Sequence, residues 1–216
     1  MGRMGTTILT PRGNLMFDPG RLTALLVAVS FAAGLNLYVT VAVLGLLGRF
    51  HVLNLPSGLS ALDQTWVIAL AIGLSVIEAF ADKIPYVDLV WNAVHTFIRV
   101  PAAAILAYQA SNTLSPGERA LVTVVAAAIA GVAHTVKTSA RVAVSTTPEP
   151  FTNAALSTTE DLGAAGITWI ATVHPYIAAA IVVVALVVII GMVRSLIRGV
   201  RRVFARLLDE PAPSSG

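Results

Sequence analysis

Apolar residues fall into long unbroken runs separated by short polar stretches, a pattern of helices in an apolar solvent and not of alternating strands. The first run, Leu22 to Leu47, is about 39 Å long as a helix, enough to cross about 30 Å of hydrocarbon. Gly34, Asn36 and Tyr38 interrupt it near its middle. Two readings stand for Gly34 and Asn36. One is a small-residue packing face with Asn36 hydrogen-bonded to a neighbouring helix; the other is a helix break whose freed backbone groups contact a solute. After the turn-forming Pro56, Ser57 and Gly58, a second run, Trp66 to Ala81, ends at Glu78 and Asp82. Pro85 then predicts a helix start, because a first-turn N–H has no partner to lose. The pieces from Val87 to Val100 and from Pro101 to Ala110 form either one kinked crossing or a re-entrant hairpin.

The third long run, Leu121 towards Val144, follows a helix-start signal at Ser115-Pro116-Gly117-Glu118. Beyond it, Pro148 and Pro150 hold Glu149 in extended backbone. Thr158, Thr159, Glu160 and Asp161 predict a helix start with acidic groups at its positive end, and Gly163 to Val173 follows as a short apolar piece. The last run, Pro175 to Val193, leads directly into Arg194, Arg198, Arg201, Arg202 and Arg206. By the positive-inside rule this places the carboxyl terminus in the cytoplasm, and Arg3, Arg12 and Arg21 favour the same side for the amino terminus. Met1 to Gly20 has no apolar run leading to a cleavage site and reads as a retained polar tail.

The expectation is therefore an all-α, polytopic helical membrane protein with four to six hydrophobic segments, short re-entrant pieces among them. Residues 1–20 are a polar tail, 21–198 one transmembrane domain, and 199–216 a basic, then Pro/Ser-rich tail. The tail after the last span is read as solvated and cytoplasmic, with an amphipathic helix from Arg194 to Arg206 on anionic lipid as the alternative. A shift of 97 residues places Gly34 on Gly131, Val39 on Val136, Leu59 on Leu156, Ser60 on Ser157 and Asp63 on Glu160. That echo is compatible with two related halves, with Asn36 and His134 near equivalent helix breaks.

Composition agrees with a lipid-solvated chain: of 216 residues, 56% are hydrophobic and 12% charged, and the mean hydropathy is +0.83. The expected location is the inner (plasma) membrane. The net charge of +3 gathers beside the apolar runs and not on a basic face with interleaved aromatics, which argues against nucleic acid. Cysteine is absent, which excludes disulfides, thiol catalysis and Cys-ligated metal centres.

The candidate chemistry is concentrated between Glu78 and Pro101. A charged side chain at a helix centre in the bilayer costs roughly 3 kcal/mol on insertion scales, so such groups are kept for a reason. Asp88, Asn92, His95 and Arg99 are spaced four, three and four apart, one stripe of a helix. His134, Lys137 and Arg141, three and four apart, share one face of the later helix. They either snorkel to head groups or face an inward site. The candidate intramembrane site is Glu78, Asp82, Lys83, Asp88, His95, Arg99, His134, Lys137, Arg141 and Glu149, with the candidate break at Gly34 and Asn36.

Three function classes follow. In a small transporter or channel-like protein the carboxylates would neutralise the cations around a polar cavity, with His95 or His134 titrating near neutral pH. The cationic face favours an anionic or polar solute, or lipid phosphate. In a non-transporting lipid-binding or interaction protein the same charges fix helix register. An enzyme is the least supported class: His95, His134 and His174 lack any HExxH, Gly-x-Ser-x-Gly or phosphate-loop context. No catalytic residue, metal ligand or cofactor is assigned. The expected partners are membrane lipids, a small solute and a second copy of the chain in a homo-oligomer.

The block Glu78, Ala81-Asp82-Lys83-Ile84-Pro85, Val87-Asp88, Trp91, His95-Thr96, Ile98-Arg99 and Pro101 carries a resemblance to a known family. So do His134, Lys137, Arg141, Pro148-Glu149-Pro150, Asn153, Ser157 and Glu160-Asp161. Together they resemble the bacterial membrane family catalogued as domain of unknown function 4126, over most of the chain from about Leu22 to Ile190. The chain departs from that pattern at Asn92, where an acidic residue is expected, and at Val100, which separates Arg99 from Pro101. The resemblance implies a polytopic membrane protein and supplies no activity.

Overall fold

The structure, a computed structural model, describes residues 18–145 and 150–208. The elements are α1 (Pro19–Leu35), α2 (Leu37–Arg49), a 3-10 turn (Ser57–Asp63), α3 (Thr65–Ala81), α4 (Pro85–Ala110), α5 (Pro116–Ser145), α6 (Pro150–Val173) and α7 (Pro175–Leu208). Among the described residues there is no strand, so the all-α expectation is correct. Three helices have spans long and apolar enough to cross a membrane: Val90–Ala110, Pro116–Val142 and Pro175–Gly199. A fourth is reached if the 3-10 turn and α3, bent by 68°, count as one span. Val183, Val184 and Val187 of α7 face outward, an apolar surface suited to lipid.

Local signals account for the element boundaries. Asp18 caps α1 by accepting from the Gly20 and Arg21 N–H groups, and Pro19 opens the helix. At α5 the Glu118 carboxylate reaches back to the Ser115 N–H at 3.0 Å, half of a capping box. Pro101 lies inside α4, so the two pieces expected there are one helix and not a hairpin. Residues Thr158 to Asp161 do not start a helix either, because α6 runs unbroken from Pro150. The Thr158 and Thr159 hydroxyls instead donate to the carbonyls of Ala154 and Ala155 one turn back. The expected solvated tail after the last span is helical too: α7 continues through Arg194, Arg198, Arg201 and Arg202 to Leu208. Glu149, with its expected extended backbone, lies outside the described residues, as do Arg3 and Arg12.

The path through the bundle follows from which ends touch. Leu22 and Leu26 of α1 cluster with Ala107 and Ala110 at the end of α4 and with Ala126 in α5, so α4 ends where α1 begins. A Cβ on Gly20 would meet the Tyr176 hydroxyl at 3.0 Å, which puts the start of α7 at that end as well. We term it the Pro19 end; the α3–α4 turn at Lys83 marks the other. The run expected from Leu22 to Leu47 breaks at Asn36, and α2 returns to the Pro19 end. Gly45 lies against Leu62 and Ile68, Gly48 against Leu55, and Gly58 against the Gln109 carbonyl at the end of α4. The α1–α2 pair is thus a helical hairpin with Asn36 at its apex. Helices α3 to α7 then run in alternating directions.

Two expectations are corrected by this path. Helix α7, about 51 Å long at 1.5 Å per residue, carries the arginines to the Lys83 end, opposite the start of α1, and not to the same side. Helix α5 has no break at His134 to match Asn36, although Pro19 and Pro116, which the 97-residue shift superposes, both open helices. Small residues hold the hairpin in place, as expected where lipid removes the hydrophobic drive between helices. Ala33, Ala103 and Ala130 pack together in the core, and a Cβ on Gly34 would sit 2.5 Å from the Ala130 carbonyl oxygen and 2.7 Å from the Ala133 Cβ.

Candidate intramembrane charge cluster

The helix break is the seed of the site. A helix end leaves its last carbonyls without intrahelical partners, and here those ends lie inside the bundle. Asn36 settles its own groups. Its N–H donates to the Ala32 carbonyl at 2.8 Å, its Oδ1 caps α2 by accepting from the Val39 N–H at 3.0 Å, and its Nδ2 donates to Asp161 Oδ1 at 2.8 Å. The orphan carbonyls of α1 go to cations. Arg99 donates to the Leu35 carbonyl at 2.7 Å, and Lys137 donates to the same oxygen at 3.2 Å. Positive charge at a helix carboxyl end also suits the helix dipole. Gly34 is thus a packing position, Asn36 bonds a neighbouring helix, and the helix does break there, its freed Leu35 carbonyl taken by side-chain cations.

Around this point the two predicted stripes meet directly. Asp88, Asn92, His95 and Arg99 are 2%, 1%, 3% and 0% exposed, and His134, Lys137 and Arg141 are each 2% exposed, so the cations face inward and do not snorkel. Glu78 Oε1 accepts from both Arg99 and Lys137, the latter at 2.9 Å. Lys137 also lies 3.2 Å from Glu160 and 3.7 Å from Asp82. Arg141 reaches Asp82 at 2.8 Å, Glu160 at 2.7 Å and Asp88 at 3.5 Å. Ser157 adds a hydroxyl to Asp82 Oδ2 at 3.1 Å, and Asn92 donates to Asp88 Oδ1 at 2.6 Å.

The histidines sit beside this network in defined tautomers. The Trp91 carbonyl can only accept, so His95 donates from Nδ1 at 2.7 Å, and its Nε2 accepts the Tyr38 hydroxyl at 2.8 Å. Trp91 stacks on the ring at 4.5 Å, and an open groove lined by Val87, Val90, Trp91, Val94 and His95 leads to it. Thr96 gives its one proton to the Asn92 carbonyl and therefore accepts from His134 Nε2 at 2.8 Å. That leaves the His134 Nδ1 lone pair buried with no donor.

Of the predicted site residues, the structure brings together Glu78, Asp82, Asp88, His95, Arg99, His134, Lys137 and Arg141, with Gly34 and Asn36 at the hairpin apex. Lys83 stands apart: it is exposed and lies over the Phe80 ring at 5.3 Å. Glu149 lies outside the described residues. Glu160, Asp161, Ser157, Tyr38 and Thr96 were not among the expected members. The α6 trio was legible in principle, since Ser157, Glu160, Ala164, Thr168 and Ala171 form one buried stripe. Reading Thr158 as a helix start cut that stripe in two.

Among the described residues the cluster is acidic on balance. The cations Arg99, Lys137 and Arg141 face the carboxylates of Glu78, Asp82, Asp88 and Glu160, with Asp161 a further carboxylate at the hairpin apex. Glu78 Oε2, Asp82 Oδ1 and Asn92 Oδ1 are buried acceptors with no donor. Among the described residues no group of three or more His, Asp and Glu side chains is arranged to hold a metal ion.

A family model described as Domain of unknown function (DUF4126) matches residues 23–195. No curated protein and no solved structure matches the chain.

Proposed function

The chain belongs to this family of unknown function, and we propose that it is a small intramembrane transport protein whose charge cluster takes up a proton or a small cation at the tip of a re-entrant hairpin. One observation carries the reading: among the described residues, buried carboxylates outnumber buried cations at the point where a half-helix ends inside the bundle. Broken helices and intramembrane ionisable groups recur together at the ion sites of transporters. The cationic face alone suggested an anionic solute. Carboxylates already occupy those cations, which favours a positive cargo, because an anion would enter a site of its own sign.

On this reading the protein lies in the plasma membrane with the Lys83 end cytoplasmic. The support is Lys83 together with Arg194, Arg198, Arg201 and Arg202 at the end of α7. Apart from Arg99, just past the middle of α4, the cluster residues lie in the halves of α4, α5 and α6 nearer that end, so the cytoplasm is the nearer aqueous phase. No enzymatic role is assigned.

The test is proton flux into proteoliposomes loaded with a pH-sensitive dye, driven by an imposed potential of either sign. The wild type should acidify or alkalinise the lumen well above empty liposomes, and Asp82→Asn should reduce the rate by about an order of magnitude or more. The same assay with Na⁺ and K⁺ indicators separates proton from cation. A second reading, a purely structural network, has its own support in the Arg99 and Lys137 bonds that tie α3, α4 and α5 to the end of α1. That reading wins if wild-type liposomes are as tight as empty ones to every ion.

A further inference from the structure

The carboxylates of the cluster are unequally supported. Glu78 Oε1 takes two cations, and Glu160 takes Arg141 through both oxygens, at 2.7 and 3.4 Å, as well as Lys137. Asp82 uses only Oδ2, towards Arg141 and Ser157, while its Oδ1 is fully buried without any donor. Asp88 has the longest contact to Arg141, 3.5 Å, and its nearest donor is the neutral amide of Asn92. The Asn92 Oδ1 on that same amide is itself buried and unpartnered. The Asp82 and Asp88 carboxyls also meet on one guanidinium, Asp82 at Nη2 of Arg141 and Asp88 at its Nη1. Two carboxylates gathered on one cation repel each other when both are ionised, which favours a proton on one of them.

We propose that Asp82 and Asp88 form an acid pair that holds one exchangeable proton in common, and that this pair is the proton-loading position of the cluster. The inference deepens the transport reading above and rests on it for its function, though not for its chemistry. Asp82 caps the end of α3 and Asp88 stands in the first turn of α4, so the pair flanks the α3–α4 turn, the part of the cluster nearest water at the Lys83 end. Loading breaks one O–H bond of hydronium, forms one carboxyl O–H bond on the pair and releases a water. The charged groups around it are Glu78 on α3, Arg99 on α4, Lys137 and Arg141 on α5, and Glu160 and Asp161 on α6. One proton on the pair brings Glu78, Asp82, Asp88 and Glu160 level with Arg99, Lys137 and Arg141, with Asp161 at the hairpin apex left outside that balance. It also turns the orphan Asp82 Oδ1 into a group that can be satisfied. Like-charged carboxyls that share a site retain a proton for the same reason.

The experiment is infrared difference spectroscopy of the purified full chain in detergent, titrated from acid to alkaline buffer, with a deuterium exchange control. The expected result is a protonated-carboxyl C=O band that shifts in D₂O, disappears at alkaline pH and is lost in Asp88→Asn. Asp88→Glu should keep a displaced band, and Lys83→Gln should leave it unchanged. Because Asp88→Asn is nearly isosteric, its thermal unfolding is recorded alongside. If that variant fails to fold, the Asp88→Glu displacement decides alone. No pH-sensitive carboxyl band in the wild type, or a band indifferent to both Asp88 substitutions, overturns the proposal. A band without ion flux would sink the transport reading and leave the acid pair standing; flux without a band would do the reverse.

Discussion

Glu78 shows how much one side chain holds in this protein. Its Oε1 is the common acceptor for Arg99 and Lys137, and all three groups are fully buried. Replacing it by glutamine leaves two guanidinium and ammonium charges facing a neutral amide, and breaking a buried pair typically costs about 3–5 kcal/mol. Glu78→Gln should therefore lower the thermal unfolding midpoint in detergent by many degrees, whereas Lys83→Gln should not move it. Equal midpoints for the two variants would contradict the bridging role. At this scale the sequence was informative where spacing spoke: the Asp88, Asn92, His95, Arg99 stripe and the His134, Lys137, Arg141 face are both buried as their helical periods require. Spacing could not separate Lys83 from Asp82. Adjacent residues on a helix end point in different directions, and only the packed neighbours show that Asp82 turns inward while Lys83 remains at the surface.

At the scale of elements, the α1–α2 hairpin does the positioning. Its apex delivers the Leu35 carbonyl to Arg99 and Lys137, and Asn36 is the one residue that ends α1, caps α2 and anchors to α6. Asn36→Ala removes the cap and the Asp161 bond together. A lost N-cap costs about 1 kcal/mol, and the stranded Asp161 acceptor about 1–3 kcal/mol more. The expected outcome is a stability loss of that size with faster amide exchange in the first turn of α2. Unchanged exchange there would mean that the cap is dispensable. Boundary signals such as Pro85, Pro116 and Pro175 were read correctly because they act through local backbone chemistry. Pro101 left two readings open and Thr158 misled, for the complementary reason. A proline or threonine inside a helix is tolerated when neighbouring helices support it, and that support is not written in the flanking residues.

For the molecule as a whole, the testable statement is topology. The chain has no cysteine, so single cysteines report cleanly with a membrane-impermeant reagent. Arg21→Cys and Arg49→Cys should label from one side of intact vesicles, and Lys83→Cys and Arg201→Cys from the other. Labelling of Arg49→Cys together with Lys83→Cys would show that α1 and α2 cross as one span and would remove the hairpin. The amino-acid sequence by itself determined that lipid is the solvent, where most helices begin, and which polar residues share a helical face. These depend on hydropathy and on neighbours three or four positions apart, which the chain carries locally. Only the tertiary structure decided that α2 turns back, that the two stripes meet, and that their combined charge is acidic. Those outcomes depend on a carbonyl freed at Leu35 finding its cations 64 and 102 positions away in the chain. No local period encodes such a contact; it exists because small residues let the helices approach until the cations of α4 and α5 reach the end of α1.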